Sequence, residues 1–150
     1  MKNKVKLLCI VMACIASFIS CECDDERPSN IIQDVGGGGD FTIVNTETNE
    51  TLIIDGNLSI GLPQTIKAHK GNIINIKFEQ KEKYKNYIFT TKYTLPNDEM
   101  VADQSEYEYI IRENLGGLYE ISLSANSSGE TKKEKWNISA GGRFILNVVQ

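Results

Sequence analysis

The sequence predicts an all-β, antiparallel sandwich of about seven to nine strands that follows a signal peptide and a flexible linker. Apolar and polar residues alternate through most of residues 41–150, turn-forming residues recur between the alternating segments, and no segment has a long helical period. This combination favours half-buried antiparallel strands. Strands are predicted at 41–46, 50–54, 65–69, 72–79, 87–94, 106–112, 118–125, 133–139 and 143–149.

The alternation is clearest in NIINIKFE, where Ile74, Ile76 and Phe78 fall on one face of the predicted strand. Because side chains of a strand point alternately to its two faces, these residues are expected to face the core. The same phase predicts further inward positions at Tyr87, Phe89, Thr91, Tyr93, Tyr107, Tyr109, Ile111, Tyr119, Ile121, Leu123, Ala125, Phe144, Leu146 and Val148.

Turn signals separate the predicted strands, and all of them contain glycine, asparagine or proline. These residues favour turns because they tolerate or impose the backbone angles that turns require. The predicted turns are Asp55-Gly56-Asn57, Lys70-Gly71-Asn72, Pro96-Asn97-Asp98, Gly116-Gly117, Ser128-Gly129 and Gly141-Gly142.

The first twenty residues have the pattern of a secretory signal peptide. Three lysines at positions 2, 4 and 6 precede an apolar run over residues 7–19. That run is shorter than the roughly 20 apolar residues that a membrane-spanning helix needs. Residues 1–20 are therefore predicted to be a signal peptide rather than a membrane span.

The end of this signal, Phe18-Ile19-Ser20-Cys21, resembles the bacterial lipobox, in which the cysteine is lipidated and becomes the mature N-terminus. This resemblance predicts lipidation at Cys21 and a membrane tether through more than one acyl chain, which holds stably where one chain does not. A lipobox ending at Cys14 would leave only a short apolar run before it, and Cys23 is preceded by Glu22. The alternative is ordinary cleavage near Ser20, with no lipid attached.

Acidic residues follow the proposed anchor directly: Glu22, Asp24, Asp25 and Glu26. As a charged segment they can act as a solvated spacer that self-repulsion keeps extended. They also resemble the acidic export signal of surface lipoproteins of Bacteroidota. This resemblance implies a location on the outer membrane, facing the outside of the cell.

Residues 21–40 are predicted to be a lipidated, acidic and glycine-rich linker because they contain Pro28 and the run Gly36–Gly39. Residues 41–150 are then one domain, large enough to bury a core. Without residues 1–20, thirteen basic residues face twenty acids, a net charge of −7 that gives no basis for nucleic-acid binding. Cys23 would be the one remaining free thiol, so the domain folds without a disulfide.

The segment ENLGGLYEISLSANSSGETKK, residues 113–133, resembles the end of polycystic-kidney-disease (PKD) and related immunoglobulin-like domains. In these domains a glycine, an aromatic residue and an alternating strand lead into an Asn-Ser-x-Gly hairpin. The upstream YTLPNDE and EYEYII fit the same layout, and the resemblance covers residues 87–149. The Trp-Asp-Phe-Gly-Asp-Gly-like segment of PKD domains is missing, so the resemblance extends only to the broader immunoglobulin-like group. It implies a spacer, binding or adhesion module.

The residues offer little support for catalysis or metal binding. The single histidine, His69, lies on the outward phase of TIKAHK, and the domain has no cysteine. Zinc sites and cysteine–histidine nucleophiles therefore lack their usual ligands and partners. Paired acids for glycoside hydrolysis are allowed by composition alone. Asp98, Glu99 and Asp103 form either a solvated loop or a calcium-binding loop; no metal or cofactor is predicted.

Two aromatic residues are the predicted ligand contacts. Tyr84 lies in the charged segment EQKEKYKN and is expected to be exposed. Trp136 shares a phase with Ile138, so it is either a core residue near the domain edge or a platform for a ligand. Exposed rings are common anchors for sugars and protein partners.

The prediction is a non-enzymatic outer-membrane lipoprotein that is anchored at Cys21. Its immunoglobulin-like domain would bind an extracellular glycan or a surface protein. The alternative is a structural or accessory subunit that packs an edge strand against a larger outer-membrane or periplasmic assembly.

Overall fold

A computed structural model describes residues 30–34, 36–57 and 61–150, and it confirms the predicted all-β sandwich. Two short 3-10 helices, Glu82–Tyr84 and Pro96–Asp98, interrupt the strands. Within the described ranges, no helix has the length and apolar character to cross a bilayer. The strands are β1 Asn30–Asp34, β2 Gly39–Asn45, β3 Thr51–Asp55, β4 Gln64–His69, β5 Ile73–Gln80, β6 Thr90–Thr94, β7 Met100–Ala102, β8 Glu106–Ile110, β9 Gly117–Glu130 and β10 Glu134–Val149.

The strands form two sheets. The first has the order β1-β10-β9-β6-β7, with β4 also paired to β10, and the second has the order β3-β2-β5-β8. Strands β1 and β4 run parallel to β10, and the other pairings are antiparallel. In the first sheet β9 lies between β6 and β10, and in the second sheet β5 lies between β2 and β8.

The core lies between the two sheets. Phe41 of β2 contacts Phe78 of β5 with ring centroids 5.1 Å apart, and it meets Tyr93 of β6 edge-on at 6.4 Å. Burial raises the pKa of Tyr93 to about 12, and its neutral hydroxyl donates to the Ser105 carbonyl at 3.2 Å. Most inward positions predicted from the alternation are confirmed as buried: Ile74, Ile76, Phe78, Thr91, Tyr93, Tyr109, Ile111, Ile121, Leu123, Ala125, Phe144, Leu146 and Val148.

Asn45, at the end of β2, has a fully buried amide side chain whose nitrogen and oxygen both form hydrogen bonds. Its amide nitrogen donates to the Lys67 carbonyl at 2.9 Å and to Asn72 Oδ1 at 3.2 Å, and its oxygen accepts from the Glu47 amide at 3.1 Å. Because an unpaired buried amide would be costly, this network specifies how β2 meets β4.

Six glycines allow three segments of backbone to meet at the middle of β10, and we call this set the glycine junction. The Gly38 amide donates to the Ser139 carbonyl at 2.9 Å, and the Gly141 amide donates to the Gly56 carbonyl at 3.0 Å. These bonds fill the gap along the edge of β10 between its pairings with β1 and β4. The members of the junction are Gly37, Gly38, Gly39, Gly56, Gly141 and Gly142.

The prediction of a turn at Gly141-Gly142 is wrong, because β10 runs without interruption from Glu134 to Val149. Gly142 faces inward, where a Cβ atom would overlap the Ile54 side chain. Glycine is present here for close packing rather than for a change of direction. The predicted strands 133–139 and 143–149 are therefore one strand, and β1 and β7 bring the described total to ten.

The predicted turn at Ser128-Gly129 is also wrong, since both residues lie within β9. Gly129 pairs directly with Trp136, and a Cβ atom at Gly129 would lie 2.7 Å from Cη2 of the indole. The glycine therefore makes room for the ring across the strand pair. The chain reverses later, at residues 131–133, where the Thr131 amide donates to the Glu134 carbonyl at 2.7 Å.

The predicted linker ends too late at residue 40. Strand β1 pairs with β10 over residues 30–34, and Gly36–Gly39 are buried, the last three of them in the glycine junction. A glycine run is typical of flexible linkers, but it equally allows backbone segments to approach closely. The folded unit thus includes residues upstream of the predicted domain boundary.

Replacing Gly56 by alanine tests the junction. The new Cβ atom would overlap the Gly39 carbonyl oxygen and lie 2.7 Å from Ala140 Cβ, so we expect a loss of about 1–3 kcal/mol in the free energy of unfolding. Urea unfolding of the full chain measures it. Gly61→Ala is the control, because nothing lies within 4 Å of its Cβ position. Equal stability of the two variants would contradict the packing described.

Candidate functional site

The predicted anchor Cys21 and the acids Glu22, Asp24, Asp25 and Glu26 lie outside the described residues. Their roles in lipidation and export therefore stay predictions.

The predicted exposure of Tyr84 is wrong, since its relative exposure is only 7%. The 3-10 helix Glu82–Tyr84 turns the ring inward, and the Lys83 ammonium lies 4.5 Å from the ring centroid. The side chain of Gln80 donates to the Tyr84 carbonyl at 3.0 Å and holds the turn. The surrounding lysines and glutamates suggested an exposed loop, but this ring offers no open face for a ligand.

Trp136 is half-buried near the edge of the domain, as its phase predicts. Its indole Nε1 donates to Ser127 Oγ at 3.2 Å, and its ring meets that of Tyr87 at 5.5 Å. Tyr87 in turn contacts Tyr84 at 6.1 Å. The structure therefore brings the two predicted ligand residues together through Tyr87, in what we call the aromatic cluster (Tyr84, Tyr87 and Trp136).

The aromatic cluster fastens the 82–89 segment to the β9–β10 hairpin. The Tyr87 hydroxyl donates to the Glu134 carboxylate, and this bond raises the pKa of Tyr87. Because its rings meet edge to face, and the polar atoms of Tyr87 and Trp136 are hydrogen-bonded within the chain, the cluster is a packing unit. A stacking surface for a ligand has to be found elsewhere.

The other polar residues singled out from the sequence are His69 and the acids Asp98, Glu99 and Asp103. His69 is exposed, as predicted. Glu99 is engaged by Arg112, with 3.0 Å between the guanidinium nitrogen and the carboxylate oxygen. Across the part of the chain that the structure describes, no three His, Cys, Asp or Glu side chains are grouped to hold a metal ion.

A cleft of about 780 Å³ lies beside the glycine junction, on the outward face of β9 and β10. The end of β3 and the segment 61–64 form its wall, while β9 and β10 form its floor. Its volume is within the usual range for small-molecule sites, roughly 300–1,000 Å³. The lining residues are Ile53, Ile54, Asp55, Gly61, Leu62, Pro63, Gln64, Ser122, Leu123, Ser124, Asn126, Ser139, Ala140, Gly141, Gly142 and Arg143.

Small polar residues form the floor of the cleft. Ser122, Ser124 and Asn126 alternate with buried residues of β9 and therefore point outward. In register they stand opposite Arg143, Gly141 and Ser139 of β10, respectively. Ser124 donates to the Lys92 carbonyl at 3.3 Å. The side chains of Ser122 and Asn126 form no hydrogen bond to another described residue, which leaves them available to a ligand.

Exposed apolar side chains form the wall. Leu62 is 96% exposed and Ile53 is 65% exposed, and Pro63 lies next to Leu62. Leu62 and Ile53 are two of the few large apolar side chains that the described chain leaves open to solvent. Beside a polar floor, they give the cleft an amphipathic lining that suits a ligand with both hydroxyl groups and apolar surface.

The two charged side chains of the cleft lining have opposite signs, and each lies close to a charged residue outside the lining. Hydrogen bonds from Asn57 lower the pKa of Asp55, and Lys81 Nζ lies 3.9 Å from its carboxylate. Arg143, the cationic member of the lining, lies 3.4 Å from Glu120. The cleft therefore has one anion and one cation, each already close to an opposite charge.

Sequence reasoning missed the cleft, although a signal for its floor was present. The outward phase of SLSANSS carries serine and asparagine, where a solvated strand face usually carries lysine or glutamate. The wall depends on where residues 61–64 lie relative to β9 and β10, which no local pattern specifies. Comparisons with protein-family models, curated proteins and solved structures found no match for this chain.

Replacing Tyr84 by alanine should lower stability, because the ring is buried and its loss leaves a cavity. We expect a decrease of about 2–4 kcal/mol in the free energy of unfolding, measured by urea denaturation. Ile88→Ala is the matched control from the same segment, since Ile88 is 88% exposed and should change stability by no more than about 0.5 kcal/mol. A Tyr84 variant as stable as the Ile88 variant would contradict the burial of Tyr84.

Proposed function

We propose that this protein is a lipid-anchored surface protein that binds an extracellular glycan or protein in the cleft, without catalysing a reaction. The observation that supports this most strongly is the amphipathic lining of the cleft. Ser122 and Asn126 offer free bonding groups at its floor, and Ile53 and Leu62 expose apolar surface at its wall.

The chemistry of the lining favours binding over hydrolysis. Glycoside hydrolysis generally uses two carboxylates on either side of the scissile bond. The cleft lining has one carboxylate, Asp55, and hydrogen bonds from Asn57 favour its ionised form. A single carboxylate that is already ionised has no proton to donate to a leaving group.

The proposed location depends on the N-terminal segment. The signal pattern and Cys21 support lipidation, and the acids at 22, 24, 25 and 26 support export to the cell surface. Two or more acyl chains at Cys21 would hold the protein stably on the membrane. The immunoglobulin-like sandwich that the sequence resemblance implies is compatible with this role, since such sandwiches recur in cell-surface domains.

Protease treatment of intact cells tests the location. We expect the wild-type protein to be digested, because its domain would face the medium. The variant with Asp24, Asp25 and Glu26 all changed to alanine should stay membrane-bound but resist digestion, and Cys21→Ala should be released from the membrane fraction. A wild-type protein that is membrane-bound and resistant would contradict surface exposure, and an accessory role in the periplasm would then be favoured.

Blocking the cleft tests the function. Ser122→Trp places a large ring on the floor, whereas Ser128→Trp places the same ring on the same face of β9 outside the lining. Applied to arrays of glycans and of peptides, the full chain should give signals that Ser122→Trp reduces by about tenfold or more. Ser128→Trp should retain them. Absence of any signal that depends on Ser122 would contradict the proposed use of the cleft.

A further inference from the structure

We infer that the cleft binds a neutral oligosaccharide rather than a charged glycan or a peptide. This inference rests on the proposed function, because it specifies the class of ligand for the same cleft. Three properties of the site support it: its charge balance, the backbone of its floor, which is already hydrogen-bonded within the sheet, and the arrangement of its polar and apolar groups.

The charge balance disfavours an ionic ligand. Asp55 and Arg143 are the charged side chains of the lining, and they have opposite signs. Lys81 lies close to Asp55 at 3.9 Å and Glu120 lies close to Arg143 at 3.4 Å. An acidic glycan would have to compete with Glu120 for a single guanidinium, whereas sites for polyanions usually supply several unpaired cations.

The backbone of the floor is already fully engaged in the sheet. Strand β9 pairs with β10 on one side and with β6 on the other, so its N–H and C=O groups face neighbouring strands. A peptide that binds by strand addition needs an open sheet edge, which the floor lacks. Recognition at the floor therefore depends on side chains, chiefly Ser122 and Asn126.

The arrangement of side chains matches a sugar ring. A pyranose carries hydroxyl groups around its rim and C–H groups on its faces. The hydroxyl of Ser122 and the amide of Asn126 can donate to and accept from sugar hydroxyls. Ile53, Leu62 and Pro63 provide apolar surface for the ring faces without an aromatic platform. The volume of the cleft, about 780 Å³, leaves room for more than one sugar ring.

The decisive experiment compares the full chain, Ser122→Trp and Ser128→Trp on one array of neutral glycans, acidic glycans and peptides. We expect neutral glycans to carry the signal that Ser122→Trp abolishes and Ser128→Trp retains. Binding to the best neutral glycan, followed by calorimetry, should change less than about twofold between low salt and about 0.5 M salt, because no ion pair forms.

A second variant guards against misfolding of Ser122→Trp. Leu62→Ser removes apolar surface from a side chain that is almost entirely exposed, so the fold should be unaffected while affinity for the neutral glycan falls by about fivefold or more. Cleft-dependent signals confined to acidic glycans or peptides would overturn this inference and leave the proposed function standing. No cleft-dependent signal in any class would overturn both.

Discussion

The close approach of Gly56 to the middle of β10 is the contact on which the rest of the structure depends. Strand β10 is sixteen residues long, and its outer edge is paired by β1 at one end and by β4 at the other. Between them, the Gly56 carbonyl accepts from Gly141, and Gly38 donates to Ser139. A side chain at Gly56 would occupy the space of the Gly39 carbonyl, so the edge could not be closed in this way.

The cleft follows from the same contact. The chain leaves β10 at Gly56 and returns to pair with it at Gln64, so residues 61–63 stand beside the outward face of β9 and β10. Gly141 has no side chain and the serines of β9 have short ones, so the floor leaves open space beside residues 61–63. The apolar wall and the polar floor are thus placed side by side by one backbone arrangement, which is why a single cleft offers both kinds of contact.

The faces of the strands could be predicted from the sequence because alternation directly reflects burial, as for Ile74, Ile76 and Phe78. Glycine was harder to interpret, since the same freedom that allows a turn also allows the close packing seen at Gly129 and Gly142. Tyr84 was misjudged because its charged neighbours are exposed while the 3-10 turn directs its own ring inward. The cleft is lined by residues far apart in sequence, such as Leu62 and Asn126, and local patterns do not encode which distant residues come together.

Amide hydrogen exchange, measured residue by residue by NMR, tests the central claim most directly. If the glycine junction closes the edge of β10, the amides of Gly38 and Gly141 should exchange as slowly as that of Leu123 in the middle of β9. Gly61, exposed in the wall of the cleft, provides the fast reference within the same protein. Exchange at Gly38 and Gly141 as fast as at Gly61 would show that the junction is open in solution, and it would contradict this account of both the fold and the cleft.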